Sequence, residues 1–451
     1  MAITDVSQEY EDNLTAWEAD RDFVKGDIAV KAGGQTYLPK IIADQTDAEY
    51  AAYLARGLYP GAVGRTVNGL TGSALLKEPE INLNGRMIDL ITTERVKGTI
   101  KEDITYGRTG ILVDMPVQTD PPSVLNVITT TYDVFQIRKI KKDKAGNMVQ
   151  VVLKESRDGV DEDGKDIIVV VYRELMLIDG VYTVRLWEEV IHDDKLDWEI
   201  VEILIPTARD KALRFIPFIV INPQAVSTKV EVSPIQDMVA VAISQYQTIA
   251  DWKHGLKFTA LPTLAATGVD SEEGPNIKLG SGTALVSVNE GAKFYFVEFD
   301  GKGLVEIVTA ISIFTDWMVY LGARLFQDPK KGVESEETTR LKQGAEGATL
   351  SSIVDAVESG YRLVIEYANL FLGTNVDPES AFSMSRDFID SKMPPEELTA
   401  IMNDWVNGGM SFETYYYLKQ QGEKTRPGIT AEDEQNQIEQ DMPAFNEAEP
   451  E

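Results

Sequence analysis

The spacing of apolar residues along this chain changes from about 3.6 to two and back again, and those changes mark out its segments. Residues 1 to 40 read as polar, ending in a hairpin-like Lys31-Ala32-Gly33-Gly34 ahead of Tyr37-Leu38-Pro39-Lys40. Helical spacing starts at Asp47, an acceptable N-cap, runs through Tyr50, Tyr53, Leu54 and Leu58, and is broken by Pro60. A second helix is expected from Gly61 through Val63, Val67 and Leu70 to Lys77-Glu78-Pro79, and a third from about Asn84 through Met87, Leu90, Ile91 and Val96 to Ile100. A strand, Gly110 to Asp114, follows and is closed by Pro116 and Pro121-Pro122.

From Tyr132 to Ile205 the period is two. Strands are predicted at Val134 to Ile140, Val149 to Leu153, Ile167 to Tyr172, Tyr182 to Val190 and Trp198 to Ile205, separated by turns at Ala145-Gly146-Asn147, Asp179-Gly180 and His192-Asp193-Asp194. The reading is an antiparallel meander of about five strands. After the apolar run Phe215 to Asn222, helical spacing returns at Ser233-Pro234, with Ser as N-cap and Pro as first helical residue, and continues to about Ala260. Short strands and Gly turns occupy Thr263 to Gly301; a second long helix, Leu304 to Phe326, should be about 35 Å long at 1.5 Å per residue. The charged loop Gln327 to Glu337 leads to a third long helix, Thr338 to Leu372, weakened by Gly344, Gly347 and Gly360, and small helices follow from Pro394 to Gln421. From Pro427 onward acidic residues accumulate without one Lys or Arg, and that tail is expected to be disordered.

Length changes this picture first: 451 residues can bury more than one core and suggest two to four domains. The N-terminus is charged by Glu9, Glu11 and Asp12 and does not read as a signal peptide, so the chain is expected to stay where it is made. The apolar stretches within Gln236 to Trp252 and Gly303 to Phe326 carry Asp237, Asp251, Glu306, Asp316 and Arg324, whereas a membrane span needs roughly 20 nearly uncharged residues. No membrane partner is expected. Cysteine is absent, which removes disulfides and thiolate chemistry and suits a reducing compartment. A formal charge of -30 opposes tight DNA binding, because phosphate affinity comes from clustered Lys and Arg. A protein that lets DNA pass without holding it is compatible with that sign.

Candidate chemistry is sparse. The glycines at 61, 64, 69 and 72 lack the Gly-Lys-Ser or Gly-Lys-Thr that closes a phosphate loop, and read as a close-packing helix. His192 and His254 are the only imidazoles and neither has a second one beside it, so structural or solvated roles are expected. The pairs Asp161 with Asp163 and Asp193 with Asp194 lie in expected turns, where Asp is common, and no metal, cofactor or catalytic residue is assigned. Lys330-Lys331, between Pro329 and Gly332, is the one basic cluster that stands out, with a solvated loop as its plain alternative.

Several stretches resemble the portal, or head-tail connector, family of tailed phages: Tyr37 to Lys40 (YLPK), Tyr53 to Ile81, Tyr106 to Pro116 (YGRTGILVDMP), Phe215 to Asn222 (FIPFIVIN) and Asn407 to Gly422. The likeness spans roughly residues 35 to 440, and the order of elements is the one such subunits show. It implies an α+β subunit with an antiparallel β wing, long stem helices, a small β-containing clip and a helical crown. The segments would be an N-terminal wing 1–232, a first stem helix 233–261, a clip 262–302, a second stem helix 303–326, a tunnel loop 327–337, a long kinked wing helix 338–374, a crown 375–426 and an acidic tail 427–451. The resemblance further implies a homo-oligomeric ring, commonly of about twelve subunits, at one capsid vertex of the virion, beside the major capsid protein. Double-stranded DNA would pass the tunnel loop at Gln327, Asp328, Lys330 and Lys331. Terminase and head-tail adaptor would dock on the clip around Asp270, Glu272, Glu273, Lys278, Glu290 and Lys293. Independently of the resemblance, both stem helices are apolar over more than one face, as ring neighbours would require: Val239, Val241, Ile243, Ile249 and Trp252 in one, Val308, Ile311, Phe314, Trp317, Met318 and Leu321 in the other. Two other readings stay open: a phage-encoded polymer hydrolase working through paired carboxylates, and a minor capsid or adaptor protein without a channel.

Overall fold

The structure is a computed structural model that describes residues 2–115, 127–160, 164–192, 195–260, 263–268, 291–297, 301–322, 336–388, 395–422, 424–426 and 428–441. Helices and antiparallel sheets are mixed, giving the α+β class, in two compact units, 1–386 and 387–451.

The first 40 residues, read from sequence only as polar with a hairpin-like end, are mostly helical. Helix α1, Gln8–Lys25, is capped by Ser7, whose side chain accepts from the Tyr10 amide, and buries Tyr10, Trp17 and Phe23. The Trp17 indole donates to the Tyr106 carbonyl at 3.2 Å, tying this helix to a strand-bearing core far along the chain. Gly26, at φ 101, separates α1 from α2, Asp27–Ala32, and the expected hairpin at 31–34 is instead the end of α2 and the start of a 3-10 turn, Gly34–Thr36. In α3, Asp47–Arg56, the N-cap is Thr46, one residue earlier than expected, in a capping box with Glu49. α4 spans Ala62–Ala74, followed by the short β1, Glu80–Ile81. The expected third helix is broken: a single 3-10 turn, Gly85–Met87, is followed by α5, Thr93–Tyr106, because the Thr92 side chain caps a new N-terminus on the Arg95 amide.

Strands β2, Thr109–Asp114, and β3, Ile128–Tyr132, pair antiparallel. The meander then follows as β4 Ile137–Lys142, β5 Met148–Val160, β6 Asp166–Ile178, β7 Val181–His192 and β8 Lys195–Leu204. These five form one sheet in sequence order, as the period-two reading predicted, although β5 and β6 are each longer than expected. The Asp179-Gly180 turn has both residues at positive φ, 51 and 75, the mirror-image turn that matches strand twist. One short pair, β9 Thr207–Ala208 with β10 Lys211–Ala212, leads to β11, Phe218–Asn222, and β12, Ala225–Val226. β11 crosses back beside β2, giving a second sheet in the order β12-β11-β2-β3 with every residue of β11 buried.

The remaining elements of this unit are α6 Gln236–Ala260, β13 Thr263–Thr267, β14 Lys293–Val297, α7 Lys302–Tyr320, α8 Glu336–Leu372, α9 Pro378–Ala381 and β15 Phe382–Ser383. α8 lies over the β12-β11-β2-β3 sheet and bonds to it and to α5: Ser352 donates to the Pro223 carbonyl at 2.8 Å, and the Thr99 and Tyr361 hydroxyls are 2.9 Å apart. The second unit holds α10 Pro395–Val406, α11 Phe412–Gln421 and α12 Ala431–Asp441, with Trp405 stacked on Tyr415 at 4.7 Å.

α12 makes Ala431–Asp441, within the tail expected to be disordered, helical; 442–451 lie outside the described residues. Thr430 accepts from the Asp433 amide at 3.1 Å, Glu432, Asp433 and Glu434 sit in the first turn, and Arg426 reaches Glu434 at 3.3 Å. Carboxylates at a helix N-terminus meet the positive end of its dipole, so the same acidic run that weakens a core favours this helix start.

Candidate assembly site on the paired helices

α6 is seated against the N-terminal helices along its first half. Met238, Val239, Ala242, Tyr246 and Ala250 are buried, at a spacing that keeps them on one side. Polar bonds fix its height: the Gln247 amide donates to the Tyr37 carbonyl at 2.8 Å, and the Tyr53 hydroxyl donates to Asp251 at 2.6 Å. Arg56 lies 3.3 Å from Nδ1 of His254, whose ring also packs edge-on against Tyr53. Burial, then the neighbouring Arg56 charge, push the His254 pKa below its ordinary value, so a neutral imidazole accepts from Arg56. This histidine therefore seats a helix, as the structural reading expected; the side chain of His192 lies outside the described residues.

α7 runs antiparallel beside α6. Gln245 donates to Thr315 at 2.9 Å, while at the other end a Cβ on Gly255 would stand 2.7 Å from Leu304, so the contacts descend one helix as they climb the other. Leu304, Ile307, Ile311, Phe314 and Met318 are the less exposed apolar positions of α7, alternating steps of three and four, the seam of paired helices. Away from the seam, large apolar side chains lie open among Thr309, Ser312 and Asp316: Val305 is 67% exposed, Trp317 52% and Tyr320 71%. The helix ends at Tyr320, shorter than predicted. By length and composition α7 is also apolar enough to cross a membrane, contrary to the expectation for that stretch.

Between the two helices stands the antiparallel pair β13 and β14, with Ala265 opposite Tyr295. Tyr295, Phe296 and Val297 are exposed. A lone two-stranded ribbon is marginal in water, so these rings are surface offered rather than core. Lys293, the one expected docking residue among the described ones, is exposed at the start of β14. Asp270, Glu272, Glu273, Lys278 and Glu290, and the loop residues Gln327, Asp328, Lys330 and Lys331, lie outside the described residues, as do Asp161, Asp163, Asp193 and Asp194.

Sequence reasoning missed the seating bonds of α6 altogether. Tyr53 to Asp251 joins residues 198 apart in sequence, and nothing local announces such a pair. The three-four seam of α7 was legible, had its apolar residues been sorted by face rather than counted. Among the described residues no three His, Asp or Glu side chains converge as a metal site would require.

Residues 234–372 match a family described as a domain of unknown function, DUF4055, which is found in phage proteins. The match runs from the start of α6 through β13, β14 and α7 to the end of α8. No curated protein matches the chain.

Proposed function

We propose that this chain is a ring-forming portal subunit of a tailed phage, with DNA passing through the ring. The observation that carries the reading is the pair α6 and α7: two antiparallel helices, a small β ribbon between them in the chain, and exposed apolar side chains on α7 that the described residues leave uncovered. An exposed stripe of that kind needs a neighbour, and a copy of the same subunit presents the complementary helix α6 at a fixed rotation, which is how closed rings arise. The domain match covers this same stretch. In this reading the helices are the stem, the segment from 262 to 302 is the clip on which terminase and adaptor dock, the loop from 327 to 337 faces DNA, and the assembled protein belongs to the capsid vertex. The net charge of -30 suits a channel wall that repels phosphate at short range, since screening at physiological salt limits the effect to about 8 Å.

Negative-stain microscopy with mass photometry of the purified protein tests this. The expected result is closed rings with a central hole; monomers and dimers only, at micromolar concentration, overturn it.

A further inference from the structure

The two edges of the five-stranded sheet β4 to β8 carry opposite charge. Edge strand β4 reads Ile-Arg-Lys-Ile-Lys-Lys, with no acidic residue. Edge strand β8, Lys195–Leu204, contains Asp197, Glu199 and Glu202 against one basic residue, Lys195, at its start beside the turn. The sheet order places these two strands at its two ends, so about four inter-strand steps of 4.8 Å, roughly 19 Å, separate them. Lys141, Lys142 and Glu202 make no ion pair among the described residues.

β8 is also an unusually bare edge. Edge strands are ordinarily protected by Lys, Pro or a covering element, because their unpaired amides and carbonyls invite another strand. From Leu196 to Ile203 only Trp198 is even half-buried, and Leu196, Val201 and Ile203 are 63%, 49% and 57% exposed. The strand pairs to β7 on its inner side, with one irregularity beside Trp187. The β4 edge is partly covered: the Ser7 amide donates to the Arg138 carbonyl at 3.1 Å, and Arg138 lies over the Tyr10 ring. Its other end, at Lys141 and Lys142, is exposed and leads into the turn bearing Lys144.

We infer that the acidic, apolar β8 edge of one copy docks on the lysine end of the β4 edge of the next copy, so that the sheets of neighbouring subunits abut around the ring. The occupant is a second copy of this chain because the complementary charge is on the same sheet, at its opposite edge. Two unlike surfaces on opposite sides of one body make a head-to-tail contact, which closes into a ring when the rotation between copies permits. Unlike charges at the rim steer that encounter and disfavour the edge-to-edge pairings β8 with β8 and β4 with β4, which would set like charges together. The inference rests on the ring reading above and adds to it a contact in the sheet, apart from the α6 and α7 stem.

A charge-swap series tests it. Variant K141E/K142E and variant D197K/E202K should each assemble only at about tenfold higher protein concentration than wild type, since each sets like charges against like. Mixed in equal amounts they should recover assembly, because every contact in an alternating ring then joins unlike edges, and circular dichroism should show both variants folded. The absence of cysteine allows an independent measurement: K142C/E202C treated with a short bis-maleimide should give a covalent ladder, and either single variant none. Wild-type rings together with unaffected charge variants, or with no ladder, overturn the edge contact and leave the ring intact. A wild-type monomer overturns both.

Discussion

Asp20 is 1% exposed on α1, and among the described residues neither of its carboxyl oxygens meets a hydrogen-bond partner. Burial pushes its pKa up to about 7, and pushes that of the equally enclosed Asp103 on α5 well above the ordinary carboxylate value. The unfolded chain ionises Asp20 near pH 4, whereas the folded chain holds the proton until about 7, so the folded state binds more protons across that window. Its contribution to stability is therefore fully present below pH 4 and is lost as pH rises toward the folded value, by about 1.4 kcal/mol per pH unit. Asp20→Asn should flatten this dependence: urea midpoints measured at roughly pH 5 and pH 8 should differ less for the variant than for wild type. An unchanged difference would mean the carboxyl finds solvent or a donor. Glu358 on α8 is the opposite case, a carboxylate 4% exposed that is paired with both Arg362 and Arg386. Glu358→Gln should lower stability by about 2 kcal/mol in chemical denaturation, the size of a lost charged hydrogen bond.

At the scale of elements, close approach decides where small residues stand. In α4 a Cβ on Gly64 would sit 2.5 Å from the Val24 carbonyl oxygen of α1, whereas one on Gly72, or on Gly61 just before the helix, would meet nothing within 4 Å. Backbone cannot swing aside as a side chain can. Gly64→Ala should therefore separate α1 from α4 and cost about 1–3 kcal/mol, despite the better helix propensity of Ala; thermal unfolding reads this directly, and Gly72→Ala, where a Cβ meets nothing, serves as the control that should gain up to about 1 kcal/mol. The close-packing reading of that glycine series thus holds at Gly64 and not at Gly61 or Gly72. The same scale explains α1: Ser7 starts it, Tyr10 and Trp17, seven residues or about two turns apart, share one stripe, and Phe23 packs against Tyr37 and Tyr59.

For the whole molecule, the outer face of α7 and the bare β8 edge are the surfaces that a monomer does not use. Trp317, half-exposed on α7, is the best single probe. Trp317→Glu places a charge among the exposed apolar residues and gives up only the edge contact of Trp317 with Phe314 at 5.8 Å, so the melting temperature of the monomer should fall by no more than the equivalent of about 1.5 kcal/mol. Assembly should fall sharply by mass photometry. Rings at wild-type concentration would show that α7 faces a channel or solvent instead of a neighbour.

What was legible from sequence alone was whatever short-range chemistry decides. The five-strand meander could be read because each turn sits beside the strands it joins: Asp143 holds the amides of Ala145 and Asn147, and Asp179-Gly180 takes the positive φ its turn requires. The long helices α6, α7 and α8 were legible because many successive turns repeat one period. Tertiary structure alone decided the rest. β3 reads Ile-Thr-Thr-Thr-Tyr, too polar to stand out, and is a strand because β2 is there to pair with it. β2 in turn lies against β11, with Ile111 opposite Ile219, a partnership across more than a hundred residues that no local window contains. The carboxyl of Asp20 has an ordinary sequence context and an extraordinary environment, because burial is set by what folds over a residue and not by its neighbours in the chain. The opposed charges of β4 and β8 stood in the sequence from the start, but only the strand order put them on opposite edges of one sheet, where they become two halves of a contact.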